Sequence, residues 1–288
     1  MTTAKRQPDE STVPGRASLP SLGWSGGKTA TKPLSACLAV ALAAMALYGC
    51  GGGQRGSDVV ARVGAKEITH ATLSHWTATF VRGDYYVVER KKAPTGLATN
   101  PPDYLACVEA AKTIRSPSAT NAPFTAAQLD TKCHELYASV TQEALKYLIS
   151  VLWSEGQATE RGYKITDADI AERIAQTQKE DYPRPGQFAS YLTNKGWSRA
   201  DLSYIVKRNL LVGEVLKALE AEAGNKGLKG QLALARLVAG NARKWSFKTS
   251  CTPGFIVEQC KQYRGAQLKT KPAAVIFEEM VGVPQSQK

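Results

Sequence analysis

Six cysteines and three histidines hold most of the chemistry open to this 288-residue chain, and their spacing decides which chemistry that is. A zinc site needs ligands that converge, as CxxC or HxxxH pairs do. Cys133 stands beside His134 with no such pair near it, so neither zinc nor CxxC redox catalysis is expected. His70 and His75 are five residues apart on a predicted helix. That puts them about 140° apart round its axis, where they cannot share a ligand. HExxH and phosphate-loop spacings are absent as well. Acidic pairs such as Glu278-Glu279 fit a solvated surface better than an acid–base pair. No catalytic group, metal or other cofactor is expected.

Cys50 has a different setting. Lys28 and Lys32 precede an apolar run from Leu34 to Tyr48, followed by Gly49, Cys50 and Gly51-Gly52-Gly53. A positive flank, a short apolar core and a small residue form the secretory pattern. The run falls short of the roughly 20 apolar residues that span a bilayer. Leu47, Gly49 and Cys50 resemble the −3, −1 and +1 positions of the bacterial lipobox, with Tyr48 where a small residue is usual. Residues 1–49 therefore read as a signal segment and Cys50 as the lipid-carrying first residue of the mature chain. Residues 50–57 read as a flexible tether that holds the protein on the extracytoplasmic face of the cell membrane. The Thr-, Ser- and Pro-rich stretch before Lys28 is either a long n-region or the product of a start upstream of the true one.

Cys37 falls inside the signal, which leaves Cys107, Cys133, Cys251 and Cys260. An even number outside the cytoplasm reads as two disulfides, and the local pairs Cys107–Cys133 and Cys251–Cys260 are favoured.

The elements that carry these residues are mostly helical. Asp58–Val63 alternates like a short strand, Gly64-Ala65 turns the chain, and Thr69 caps a helix from His70 to about Arg82. Its apolar face is Leu73, Trp76, Thr77 and Phe80. Residues 83–124, punctuated by prolines, read as an irregular insert with a brief helix near 104–112. Thr125 caps a long helix, about 126–161, striped by Leu129, Cys133, Leu136, Val140, Ala144, Leu148 and Leu152. Thr166 with Asp169 opens a helix to about Glu180, and a short one follows at 187–194. Ser198 caps a helix over 199–223 with Leu202, Ile205, Val206, Leu210, Val215, Leu216 and Leu219 inward. The segment 224–288 reads as a less regular helix near 228–243, a loop held by Cys251–Cys260, and a tail. The expected fold is mainly α, with the short N-terminal strand pairing with a strand from the C-terminal segment.

The run Val60-Ala61-Arg62-Val63-Gly64, Ile68-Thr69 and Leu73-x-x-Trp76 resembles the start of the SurA N-terminal/PrsA-like chaperone module. Several later pieces resemble it in the same order: Arg161-Gly162-Tyr163, Ile165-Thr166-Asp167-Ala168-Asp169-Ile170, a short Phe188-centred helix, and Ser198-x-x-Asp201-Leu202. The likeness covers about residues 58–223. It implies a helical cradle that holds unfolded or nascent exported polypeptides. Family members often carry a parvulin-type prolyl isomerase domain. Here the 65 residues after Ala223 hold no histidine and no Gly-Gly turn, so no such domain is expected.

Two surfaces follow from composition. Trp76, Phe80, Tyr85, Tyr86, Trp153, Phe188, Tyr191 and Trp197 are spread through the module. Those on helix stripes belong to the core; Tyr85, Tyr86 and Trp197, next to loops, are the candidates to line a peptide groove. Residues 1–49 carry a net +3, leaving +9 of the chain's +12 to the rest. From Ala223 to Val257 every charged residue is basic: Lys226, Lys229, Arg236, Arg243, Lys244 and Lys248. This is either a solvated helix face or a patch for anionic lipid or wall polymer; export makes nucleic acid the least suitable polyanion. The expected function is a peptide-binding chaperone of the foldase type. A prolyl isomerase or its accessory subunit, and a structural envelope lipoprotein with one dedicated partner, are the alternatives.

Overall fold

Gly64, with φ of +59°, turns the chain between β1 (Val59–Val63) and β2 (Lys66–Thr69). The computed structural model describes residues 58–98, 101–116, 119, 122–224, 227–265 and 270–282, so the expected signal segment (1–49), the expected lipidation site Cys50 and the expected tether lie outside the described residues. The described protein is mainly helical: α1 (His70–Glu89), α2 (Leu105–Thr113), α3 (Ala126–Glu160), α4 (Asp167–Asp181), α5 (Gln187–Lys195), α6 (Arg199–Ala223), α7 (Gly227–Phe247) and α8 (Ala273–Val281). β3 (Thr249–Cys251) completes a three-stranded antiparallel sheet in the order β2-β1-β3. Ala61 faces Cys251 and Val63 faces Thr249, so the N-terminal strand does pair with one from the C-terminal segment.

Helix starts follow the capping residues. Thr69 accepts from the Thr72 amide, and Thr125–Gln128, Thr166–Asp169 and Ser198–Asp201 form reciprocal capping boxes. Each cap contributes about 1 kcal/mol.

α3 rises about 50 Å at the usual helical pitch, and three apolar clusters form along it. Leu129, Cys133, Leu136 and Val140 meet the end of α1, α2 and α8. Ala144, Leu145, Leu148, Ile149 and Val151 meet the sheet, Leu73, Trp76 and Trp245. Ala158 meets Leu211, Val215 and Leu219 of α6, with Leu234 and Leu237 of α7 packed against them. Both disulfides form as the local pairs: Cys107–Cys133 ties α2 to α3, and Cys251–Cys260 ties β3 to the following loop. All three clusters and both disulfides fall within the compact unit Gly53–Lys288, which makes it self-contained.

Four expectations need correction. α1 does not stop near Arg82 but runs to Glu89, where Arg90 takes the left-handed cap. Gly83 lies inside it, facing Lys195 and Trp197, with a Cβ there in ordinary contact at 3.7 Å from Trp197 Nε1. The stretch expected as an irregular insert from residue 83 therefore begins inside α1, and its Ala93, Leu97, Tyr104 and α2 enter the first cluster. The C-terminal tail contains α8, whose Ala273, Ile276, Phe277, Met280 and Val281 are buried. Ser139 Oγ donates to the Lys271 carbonyl at 2.6 Å, and Glu279 bridges Lys132 and Lys271, holding α8 on α3. On α6, Leu211 rather than Leu216 faces inward; Leu216 is exposed.

α7 presses Trp245 directly onto α3 at Gly156. A Cβ there would lie 1.9 Å from Trp245 Cη2, so only glycine lets the indole rest on the helix. Displacing that ring costs more than the roughly 1 kcal/mol that alanine gains over glycine in a helix. Gly156→Ala is expected to lower unfolding free energy by about 2 kcal/mol in urea titrations. Gly240→Ala on α7, with nothing within 4 Å of the new methyl, is expected to be neutral or slightly stabilising.

Candidate functional site

Two glycines build the site. Gly83 on α1 faces the site, where a Cβ would make only ordinary contact at 3.7 Å, whereas Gly196, at φ of +65°, ends α5 so tightly that a Cβ would lie 2.6 Å from Arg82 Nε. Between them Lys195 and Trp197 are pressed onto α1. Lys195 is only 5% exposed, and its Nζ lies 5.1 Å from the Trp197 ring, 5.6 Å from Tyr86 and 5.9 Å from Tyr191. The rings continue outward: Tyr86 to Tyr191 at 6.1 Å, Tyr191 to Tyr182 at 4.8 Å and Tyr182 to Phe188 at 5.4 Å. The result is a ladder of half-buried aromatics spanning α1, the α4–α5 connection, α5 and the start of α6, with an ammonium beneath it.

Of the three residues nominated from sequence, Tyr86 and Trp197 join this ladder. Tyr85 does not. It is 4% exposed and packs edge-on to Phe277 of α8, because a helix running past Gly83 turns adjacent residues about 100° apart. Tyr182, Phe188 and Tyr191 were not nominated as groove residues. Their signal was the clustering of aromatics around Pro183 and Pro185.

The electrostatics under the ladder are unusual. Burial, reinforced by Glu143 and opposed by Lys195, pushes the Asp84 carboxyl from 3.8 up to about 7. Burial raises Glu143 too, and it lowers Lys195 against the attraction of Asp84. Trp197 Nε1 is buried without a hydrogen-bond acceptor among the described residues. A buried cation faced by aromatic quadrupoles recovers part of its lost hydration.

Beside this cluster a serine, a histidine and an aspartate converge. His75 Nε2 lies 2.6 Å from Asp201 Oδ1, while Ser198 donates from Oγ at 2.7 Å and from its amide at 2.9 Å to Oδ2. Burial alone would raise Asp201, but these bonds outweigh it and hold the carboxylate below its ordinary value. The serine hydroxyl points at the carboxylate and not at the imidazole, so no base activates it. The trio is a helix cap joined to α1. The cap was legible in the sequence; its partner His75, 126 residues away, was not.

No group of three or more His, Cys, Asp or Glu side chains suited to a metal occurs among the described residues. A cleft of about 220 Å³ lined by Lys112, Arg115, Phe124, Leu129 and Met280 lies below the usual size of small-molecule pockets. The ladder is the more capable surface. No protein-family model, curated protein or solved structure matches the chain.

Because the folded Asp84 binds its proton more tightly than the unfolded chain does, its contribution is greatest at acid pH and is lost as pH rises toward about 7. Glu143 acts in the same direction. The carboxylates held low (Glu155, Glu160, Asp169, Asp201 and Glu279) act below the ordinary carboxylate range, outside this window. The urea midpoint is expected to fall between about pH 5 and 7, and Asp84→Asn to flatten that fall. An unchanged slope in the variant would assign it to other groups.

Proposed function

We propose that this chain is a lipid-anchored, extracytoplasmic chaperone of the foldase type, built on a module similar to the SurA N-terminal/PrsA-like one. The observation that carries the proposal is the half-buried ladder of Tyr182, Phe188, Tyr191, Tyr86 and Trp197 on one side of the unit. The order of elements supports it: hairpin, α1, long α3, α4, a short Phe188-bearing α5, then Ser198-capped α6. Two disulfides suit an oxidising compartment. Cys50 carries the lipid and residues 51–57 the tether.

The mechanism uses no covalent step and no nucleotide. An exposed apolar segment of a client lies across the rings and is removed from water, which lowers its tendency to self-associate. Aromatic faces accept many sequences because the contact is non-directional, and few rotatable bonds are frozen on binding.

The test is light scattering of an aggregating unfolded protein, with and without the Gly53–Lys288 unit. Suppression near stoichiometric ratios, indifferent to ATP, is expected. Tyr182→Ala/Phe188→Ala removes the two outer rings without touching Lys195, and is expected to weaken client affinity about tenfold while circular dichroism stays unchanged. No suppression across several clients, or full suppression by the variant, would overturn the assignment. A single stoichiometric partner in membrane pull-downs would replace it with a dedicated envelope role.

A further inference from the structure

α7 has two faces of different character. Leu234, Leu237 and Trp245 turn inward to α6 and α3. On the other side Leu228, Leu232, Ala235, Ala239 and Ala242 recur at four- and three-residue steps, and all are exposed, Leu228 by 71% and Leu232 by 52%. Lys229, Arg236 and Arg243 follow at steps of seven, which places them in one row along the edge of that stripe. Phe247, 73% exposed, stands on the same edge.

The charges are as one-sided as the apolar residues. No acidic residue lies on α7. Lys244 and Lys248 are already paired with Glu160, at 2.7 and 3.0 Å. Lys229, Arg236 and Arg243 have no carboxylate partner among the described residues. A basic run that reads as uniform in sequence is thus divided: Lys244 and Lys248 fasten the end of α7 to α3, Lys229, Arg236 and Arg243 face outward beside leucines, and Lys226 lies outside the described residues.

We propose that this outer face of α7 is a docking surface for an anionic lipid membrane, with the leucine and Phe247 side chains entering the headgroup boundary and the basic row meeting lipid phosphates. Charge complementarity selects the occupant: a polyanion alone would satisfy the cations but leave the leucines in water. An apolar stripe flanked by Lys and Arg suits the bilayer interface, where both are met. The inference stands apart from the chaperone assignment, since it needs no client.

The experiment is sedimentation of the Gly53–Lys288 unit, which lacks Cys50, with vesicles of phosphatidylcholine alone or mixed with phosphatidylglycerol. Binding to the mixed vesicles that weakens with salt is expected. Lys229→Glu/Arg236→Glu/Arg243→Glu should weaken it at least about a hundredfold, and Leu228→Ser/Leu232→Ser about tenfold or more. All five positions are exposed, so both variants should keep the far-ultraviolet circular dichroism of the parent. Failure to bind, or unchanged binding by either variant, would overturn the proposal. So would equal binding of the leucine variant to vesicles and to soluble polyphosphate, which would mean a patch that reads charge alone.

Discussion

A helix of 35 residues that must be covered along its length organises everything else in this protein. Its apolar stripe cannot be satisfied by one neighbour, because no other element among the described residues is long enough to reach all of it. The chain therefore covers it in sections: α2, α8 and the end of α1 at its start, the sheet and α1 in the middle, α6 and α7 at its end. This is why the first strand and the last helix belong to the same body despite their separation in sequence. It also gives Gly156 its role, since Trp245 reaches the middle cluster only by lying directly on the α3 backbone.

Polar links then fix the angle at which each cover lies. Glu155 accepts from Lys66 of β2 and Lys207 of α6, joining sheet, α3 and α6 at a single carboxylate. Burial would raise that acid, but the two lysines outweigh it and hold it below its ordinary value. Asp201 does the same between α6 and α1 through His75. Such pairs contribute little as isolated surface bridges; here the carboxylate of each is largely shielded while its partner stays about half exposed, and each spans elements that are distant in sequence. The aromatic ladder inherits its position from these links, because α5 and Trp197 are carried on the same turn that Ser198 and Asp201 cap.

Local rules were legible in the sequence where the governing interaction is local. Thr69, Thr125, Thr166 and Ser198 start helices because a side-chain oxygen three residues before an amide suffices to do so. The α3 stripe was legible for the same reason, and so were the two disulfides between near neighbours. Failures came where a distant partner changes a local preference. Gly83 looks like a stop until α5 packs against it. The α8 pattern of Ala273, Ile276, Phe277, Met280 and Val281 is a helical period in plain sight, but read as a tail because its acceptor surface was not yet known. Leu211 and Leu216 differ by five residues, and only α7 and α3 decide which is inside. The ladder was half legible: Tyr86 and Trp197 were singled out for lying near loops, whereas their neighbours are assembled by Lys195, a residue with no sequence signal for burial.

Lys195 also explains why the rings remain at the surface at all. A cation that is nearly dehydrated cannot sit in a purely apolar core without a strong cost. Ring faces offer it a weak negative potential, and Asp84 offers a carboxyl whose own ionisation is suppressed by the same burial. Closing the cluster under another helix would remove the remaining solvent from both groups. The arrangement is half-buried, with the ammonium held against the rings of Tyr86, Tyr191 and Trp197 while the rings keep part of their surface in water. In the proposed chaperone role those exposed faces are the ones a client would meet, above a cation whose hydration the rings partly replace.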